Sequence, residues 1–160
     1  MDAVYSYEFV RGADYDMGRE DLLNLVESKS LKRRYPLRHP IYMIAECDTG
    51  RLLARSEAGF IFDGRSGPPL IDRFVPNLGN IDERAAWLFH DMLAYGGSLN
   101  FKDTNRFLRC FLRDQAGYGS FKAWLIEQAV SIDNSWYGEP AEDDWCHCNI
   151  GKVSTIWISK

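Results

Sequence analysis

What this chain has little of narrows its reading first. It holds no apolar run near the roughly 20 residues that a membrane-spanning helix needs, so no transmembrane segment is expected. Its opening, MDAVYSYEFVRGADYD, carries an acid at position 2 and no apolar stretch. It therefore does not read as a secretion signal. The expectation is synthesis in a host cytoplasm, with incorporation into a virion as the onward route. Four cysteines, Cys47, Cys110, Cys146 and Cys148, are too few and too scattered for a disulfide framework. Positive charge is not in excess: the formal net charge is -4 and the pI about 5.4. Without a basic field to meet backbone phosphates, no nucleic-acid partner is expected. The one basic cluster, Lys32-Arg33-Arg34 followed by Arg38, reads as a solvated face or loop. Repeats, low-complexity tracts and long linkers are missing too, so residues 1–160 read as a single domain. No phosphate-binding glycine loop is present, because no strand precedes Gly117-Tyr118-Gly119. Nor is there a strained nucleophile elbow, since Arg65-Ser66-Gly67 lacks the strand-turn-helix setting.

What is present begins with aromatics, 14% of residues with five tryptophans. They fill cores and also populate partner surfaces. Alternation predicts a strand over residues 4–10. Leu22, Leu23, Leu25 and Val26 predict a short helix over 20–28. Two β-rich runs, 41–47 and 52–62, flank Asp48-Thr49-Gly50 and predict a hairpin with a three-residue turn. Residues 62–80, punctuated by glycine and proline, read as loop. Asn80 with Glu83 forms a capping-box signature, and the helix it opens runs to about Tyr95 before Gly96-Gly97. Asn100 with Asp103 caps a second helix that carries Thr104, Phe107, Leu108, Phe111 and Leu112 on one stripe. A third helix places Phe121, Trp124, Leu125, Gln128 and Ile132 on one face. The segment 134–151 is turn-rich and acidic, and 153–158 reads as a closing strand. This order, N-terminal antiparallel strands, a central three-helix segment and a C-terminal return strand, predicts an α+β fold.

The strongest candidate for chemistry is His90-Asp91, near the middle of the first long helix. Adjacent helical side chains point about 100° apart, so the two divide labour. The imidazole can activate a water while the carboxylate holds a metal. The preceding loop, FDGRSGP, adds oxygen ligands or hydrogen-bond partners in Asp63 and Ser66. Its Gly64 could let a backbone carbonyl approach a hard cation. The competing reading makes His90 a core histidine among Leu88, Phe89, Met92 and Leu93, and Asp63-Gly64 an ordinary turn pair. Cys146-His147-Cys148 does not match the spacing of zinc pairs, so zinc is not expected there. His39, between Arg38 and Pro40, reads as exposed, and the acidic run 139–144 as a solvated loop.

Three segments carry a resemblance: Gly59 to Pro68, GFIFDGRSGP; Ala85 to Tyr95, AAWLFHDMLAY; and Phe121 to Val130, FKAWLIEQAV. In this order, with the capped helix between, they resemble a family of small phage and prophage proteins of no established activity. Its pattern runs G-F-x-x-D-x-x-S-x-P, H-D-x-L-Y, A-D-x-x-F, then a tryptophan-bearing helix. The match covers 59–130. It implies phage or prophage origin, with other phage or particle proteins as partners, and Ser66, Pro68 and Tyr95 as loop or structural positions.

The same order is similar to the calcium-dependent phospholipases of the A-two class. That likeness implies His90 as general base, and Asp91 with Asp63 and loop carbonyls near Gly64 as calcium ligands. Asn105 would stand where an orienting aspartate is expected. The chain departs from the pattern at Ala94, with Tyr95 one place late, and at Asn105. An amide stabilises an imidazolium less than a carboxylate does and can select the wrong tautomer. Two functions follow as expectations. One is a phage-derived structural or interaction protein, such as a virion or tail component. The other is a small metal-assisted hydrolase acting on an ester, with a lipid as its substrate.

Overall fold

The computed structural model describes residues 1–65, 69–137 and 149–160; for 69–70 and 133–137 the description covers the backbone only. The sequence readings at Ser66, Pro68, the acidic run 139–144 and Cys146-His147-Cys148 lie outside these residues. In chain order the strands are β1 (Val4–Phe9), β2 (Tyr35–Pro36), β3 (Ile41–Cys47), β4 (Gly50–Ser56), β5 (Ile61–Phe62) and β6 (Val153–Ser159). The α-helices are α1 (Gly18–Leu23), α2 (Ile81–Gly96), α3 (Phe101–Asp114) and α4 (Ser120–Tyr137). Strands come first, three long helices follow, and one strand returns. The fold is α+β.

Four strands form one antiparallel sheet in the order β1-β3-β4-β6. Strict alternation in β3 sends Ile41, Met43, Ala45 and Cys47 inward, so one face of the sheet is apolar and needs a cover. The helices supply it. Trp87, Phe89, Phe107 and Phe111 join the inward residues of the sheet in one contiguous core. Phe89, Phe107 and Phe111 lie 5.5–5.8 Å apart, centroid to centroid, within the range of favourable aromatic pairing. The return strand β6 pairs with β4, with Leu53 opposite Ile156, and lies against α2. Gly96 makes that approach possible: a Cβ there would collide with the Thr155 side chain.

The caps form as predicted. Asn80 accepts from the Glu83 N–H while the Glu83 carboxylate accepts from the Asn80 N–H. Asn100 accepts from the Asp103 N–H at 2.9 Å. All five stripe residues of α3 are buried.

Three expectations need correction. The first helix starts at Gly18 and ends at Leu23 rather than spanning 20–28. Asn24 ends it by donating its side-chain amide to the Glu20 carbonyl at 2.8 Å, the competition with the helix ladder that short amides offer. The run 52–62 is not one strand. β4 stops at Ser56, and Ile61–Phe62 pairs instead with Tyr35–Pro36. The chain turns between them because the Glu57 and Gly59 N–H groups donate to Lys152 and Leu37 rather than to a ladder. The hairpin turn is two residues, 48–49, because β4 already starts at Gly50. The loop 62–80 also contains a short 3-10 turn, Pro69–Arg73.

The residues predicted to share one face of α4 do so. Its inner side is Ala123, Ile126 and Val130, whereas the predicted face is turned outward. Phe121 is 71% exposed, Trp124 43% and Leu125 45%. Both faces of this helix carry apolar residues, and the smaller set fits the crowded seam against α3.

Candidate functional site

The site is built where three elements converge. α2 presents two successive side chains in different directions, as helical geometry requires. His90 points toward α3 and Asp91 toward the chain leaving β5. That chain turns at Gly64, whose φ is +73° and whose Cβ would stand 2.6 Å from the Asn77 carbonyl oxygen. Only glycine fits both constraints. The Arg65 N–H then donates to the Asn77 carbonyl at 2.9 Å. The Gly64 position is thus explained by backbone packing, and the turn delivers Asp63 to Asp91.

Asp63 and Asp91 share a hydrogen bond, and Asp91 also accepts the Asp63 backbone N–H. Burial raises both carboxyls above their ordinary range. For Asp63 the neighbouring Asp91 charge adds to that rise, pushing it well above. Asp91 is pushed up to about 7 by burial, against the opposing pull of the hydrogen bond from Asp63. Two carboxyls in contact cannot both ionise without strong repulsion. Asp63 therefore carries the proton and donates it, and Asp91 accepts. The Arg34 charge favours ionisation of both. Arg34 immediately precedes the Tyr35–Phe62 pair that joins β2 to β5, which brings it beside Asp63.

His90 is 4% exposed. Its Nε2 lies 2.9 Å from Asn105 Oδ1 on α3, and the edge of its ring meets Trp87 at 6.1 Å. Among the described residues its Nδ1 has no hydrogen-bond partner, and it stands 4.0 Å from Asp91 Oδ1. Burial holds the imidazole below its ordinary pKa, against the raising effects of Asn105 and Asp63. Burial thus favours the neutral ring. The amide of Asn105 continues to α4, donating to Ser131 Oγ at 3.1 Å, and Ser131 donates to the Glu127 carbonyl at 2.7 Å. An ion pair between Arg109 and Glu127, 2.9 Å, ties the same two helices.

The structure therefore brings together Asp63, His90, Asp91 and Asn105. Gly64 supports them from the turn. Tyr95 packs edge-on against Phe60 at 5.8 Å, and the outward Ala94 occupies the position where the motif has tyrosine. Among the described residues, no group of three or more His, Cys, Asp or Glu side chains is arranged to hold a metal ion. His39 is only half exposed: its Nδ1 stands 3.5 Å from Asp21, whose buried carboxylate accepts the Arg38 and His39 N–H groups.

Sequence reasoning missed two participants. Arg34 was hidden in a basic cluster that reads as solvated surface, and only the β2–β5 register places it near two acids. Ser131 lies on a helix whose visible apolar pattern points the other way.

No family model, curated protein or solved structure matches this chain. Its functional reading therefore rests on the geometry of this cluster and on the surfaces around it.

Proposed function

We propose that this chain is a phage-derived interaction protein, of the virion or tail-component kind, in which the His90-Asp91 cluster braces the fold. The observation that carries this reading is the outward stripe on α4. Phe121, Trp124 and Leu125 hold large apolar surfaces in water, and Phe121 stacks on Trp124 at 5.9 Å. A helix apolar on both faces is normally covered on both, and exposed contiguous apolar surface marks partner sites. The cluster suits a brace because each polar contact spans two elements. Asp91 ties α2 to the β5 turn, and His90–Asn105–Ser131 ties α2, α3 and α4 in series.

The test is co-assembly. The chain would be co-expressed with the particle proteins of its phage, and complexes followed by size-exclusion chromatography with light scattering. The double variant Phe121→Ser/Trp124→Ser should lose a complex that His90→Ala retains. Retention by the stripe variant would sink the reading.

One observation favours the second reading, a metal-assisted ester hydrolase. The Nδ1 of His90, unpartnered among the described residues, faces Asp91, as a general base would face a water near a metal-holding carboxylate. A thermal melt with calcium or chelator separates the two. A rise with calcium that Asp91→Ala abolishes would support the hydrolase through linkage.

A further inference from the structure

The chain of hydrogen bonds behind His90 has a direction, and the direction comes from α4. A backbone carbonyl can only accept. The Glu127 carbonyl therefore takes the Ser131 hydroxyl proton, 2.7 Å away. That leaves Ser131 Oγ with lone pairs facing Asn105, whose Nδ2 stands at 3.1 Å and fills one of them. With its NH2 turned to Ser131, Asn105 can offer only Oδ1 to the histidine. At 2.9 Å that oxygen requires a proton on Nε2. An amide alone could present either end to an imidazole. The serine removes the choice.

We propose that Ser131 is a positioning residue that, acting through Asn105, holds neutral His90 in its Nε2–H tautomer and leaves Nδ1 as the open basic atom of the site. The opposing influence is Asp91. Its Oδ1 lies on the Nδ1 side, where a carboxylate favours an Nδ1–H. At 4.0 Å it is beyond hydrogen-bond reach, whereas the Asn105 contact is within it. The nearer contact wins. Nδ1 is then a buried acceptor, unpaired among the described residues, and the group that would engage it is an O–H donor, a water or an alcohol. The inference goes beyond the bracing role, because it concerns one proton on one ring and holds whether the cluster braces or reacts.

The experiment is nitrogen-15 NMR of the imidazole side chains in the full chain at pH 8. Two-bond couplings to the ring protons separate a protonated from an unprotonated nitrogen. His90→Gln assigns the His90 signals among the three histidines. In wild type Nε2 should be the protonated nitrogen and Nδ1 the unprotonated one. In Ser131→Ala the freed amide can turn its NH2 to Nε2. The Nε2–H population should fall at least severalfold in favour of Nδ1–H. Ser131→Thr, which keeps the hydroxyl, should restore the wild-type pattern. A wild-type spectrum dominated by Nδ1–H would overturn the inference, as would a Ser131→Ala spectrum identical to wild type. Should Ser131→Ala fail to fold, the comparison passes to Ser131→Cys, whose sulfur is a poor acceptor for the Asn105 amide and should likewise lower the Nε2–H population. A Ser131→Cys spectrum identical to wild type would overturn the inference. None of these outcomes depends on co-assembly or hydrolysis, so failure here and failure of the proposed function are distinguishable.

Discussion

The two sides of α2 stabilise the fold by different means. Toward β1 it presents Phe89, which packs against Tyr7 and needs only volume and burial. Toward α3 and the β5 turn it presents His90 and Asp91, which need partners of defined polarity. Truncating an apolar side chain costs stability in proportion to the surface removed and the cavity left behind. Truncating one member of a polar pair also leaves the other desolvated and unpaired. The first side tolerates changes of residue that keep shape. The second tolerates changes that keep donor and acceptor in place.

The largest test of this contrast lies on the apolar side. Phe89→Ala removes a fully buried ring that packs against Tyr7, Phe107 and Phe111. It should cost about 3–5 kcal/mol, read from urea denaturation midpoints. Phe89→Leu should recover more than half of that loss, and equal losses in the two variants would mean that shape matters less on this side than argued.

On the polar side, Asn105→Ala should cost about 1–3 kcal/mol, because it strands His90 Nε2 and Ser131 together. A cost under about 0.5 kcal/mol, the range of ordinary surface changes, would show that the network is not a brace.

The carboxyl pair supplies a pH signature. Both acids hold their proton more tightly in the folded chain than when unfolded. Their contribution to stability is therefore fully present below the ordinary carboxyl range, and it is lost as pH rises through the raised values, about 7 for Asp91. His90 works at the other end. Its pKa is lowered, so its contribution is present above 6.5 and lost as pH falls toward the folded value. Denaturation at pH 5, 7 and 9 should show wild-type stability falling between 5 and 7, the window in which the folded chain alone holds the Asp91 proton. Asp63→Asn keeps a donor for Asp91 without a titrating proton, and its decline should be smaller. An identical decline would remove Asp63 as the cause.

The smallest expected effect is on the outer face of α4. Phe121→Ser should change stability by no more than about 0.5 kcal/mol, since that residue is already largely in water, and Trp124→Ser, at a residue less than half exposed, by no more than about 1 kcal/mol. A loss above about 2 kcal/mol would show that the stripe belongs to the fold rather than to a partner.

Much of the architecture was legible in residue order. The Asn80–Glu83 box, the Asn100 cap, the buried stripe of α3 and the alternation of β3 are local patterns, each decided by residues within a few positions of one another. The candidate pair His90-Asp91 and the positions of Asp63 and Asn105 were legible as motifs as well. Arg34 and Ser131 were not, because their roles depend on elements far away in the chain. The stripe on α4 was legible as a face, but not as an outer one, for a related reason. Periodicity shows that a helix has an apolar face, but a helix with two such faces does not reveal which one the fold will cover.

By itself, then, the sequence determined where α2 and α3 begin, which side of β3 is buried and which residues are candidates for chemistry, since all three follow from propensity and spacing along one segment. Only the tertiary structure decided that two aspartates share a proton, which nitrogen of His90 carries its hydrogen, and which face of α4 meets water. Each of these depends on what stands opposite a side chain. That is set by the packing of segments up to dozens of residues apart, and no single segment contains it.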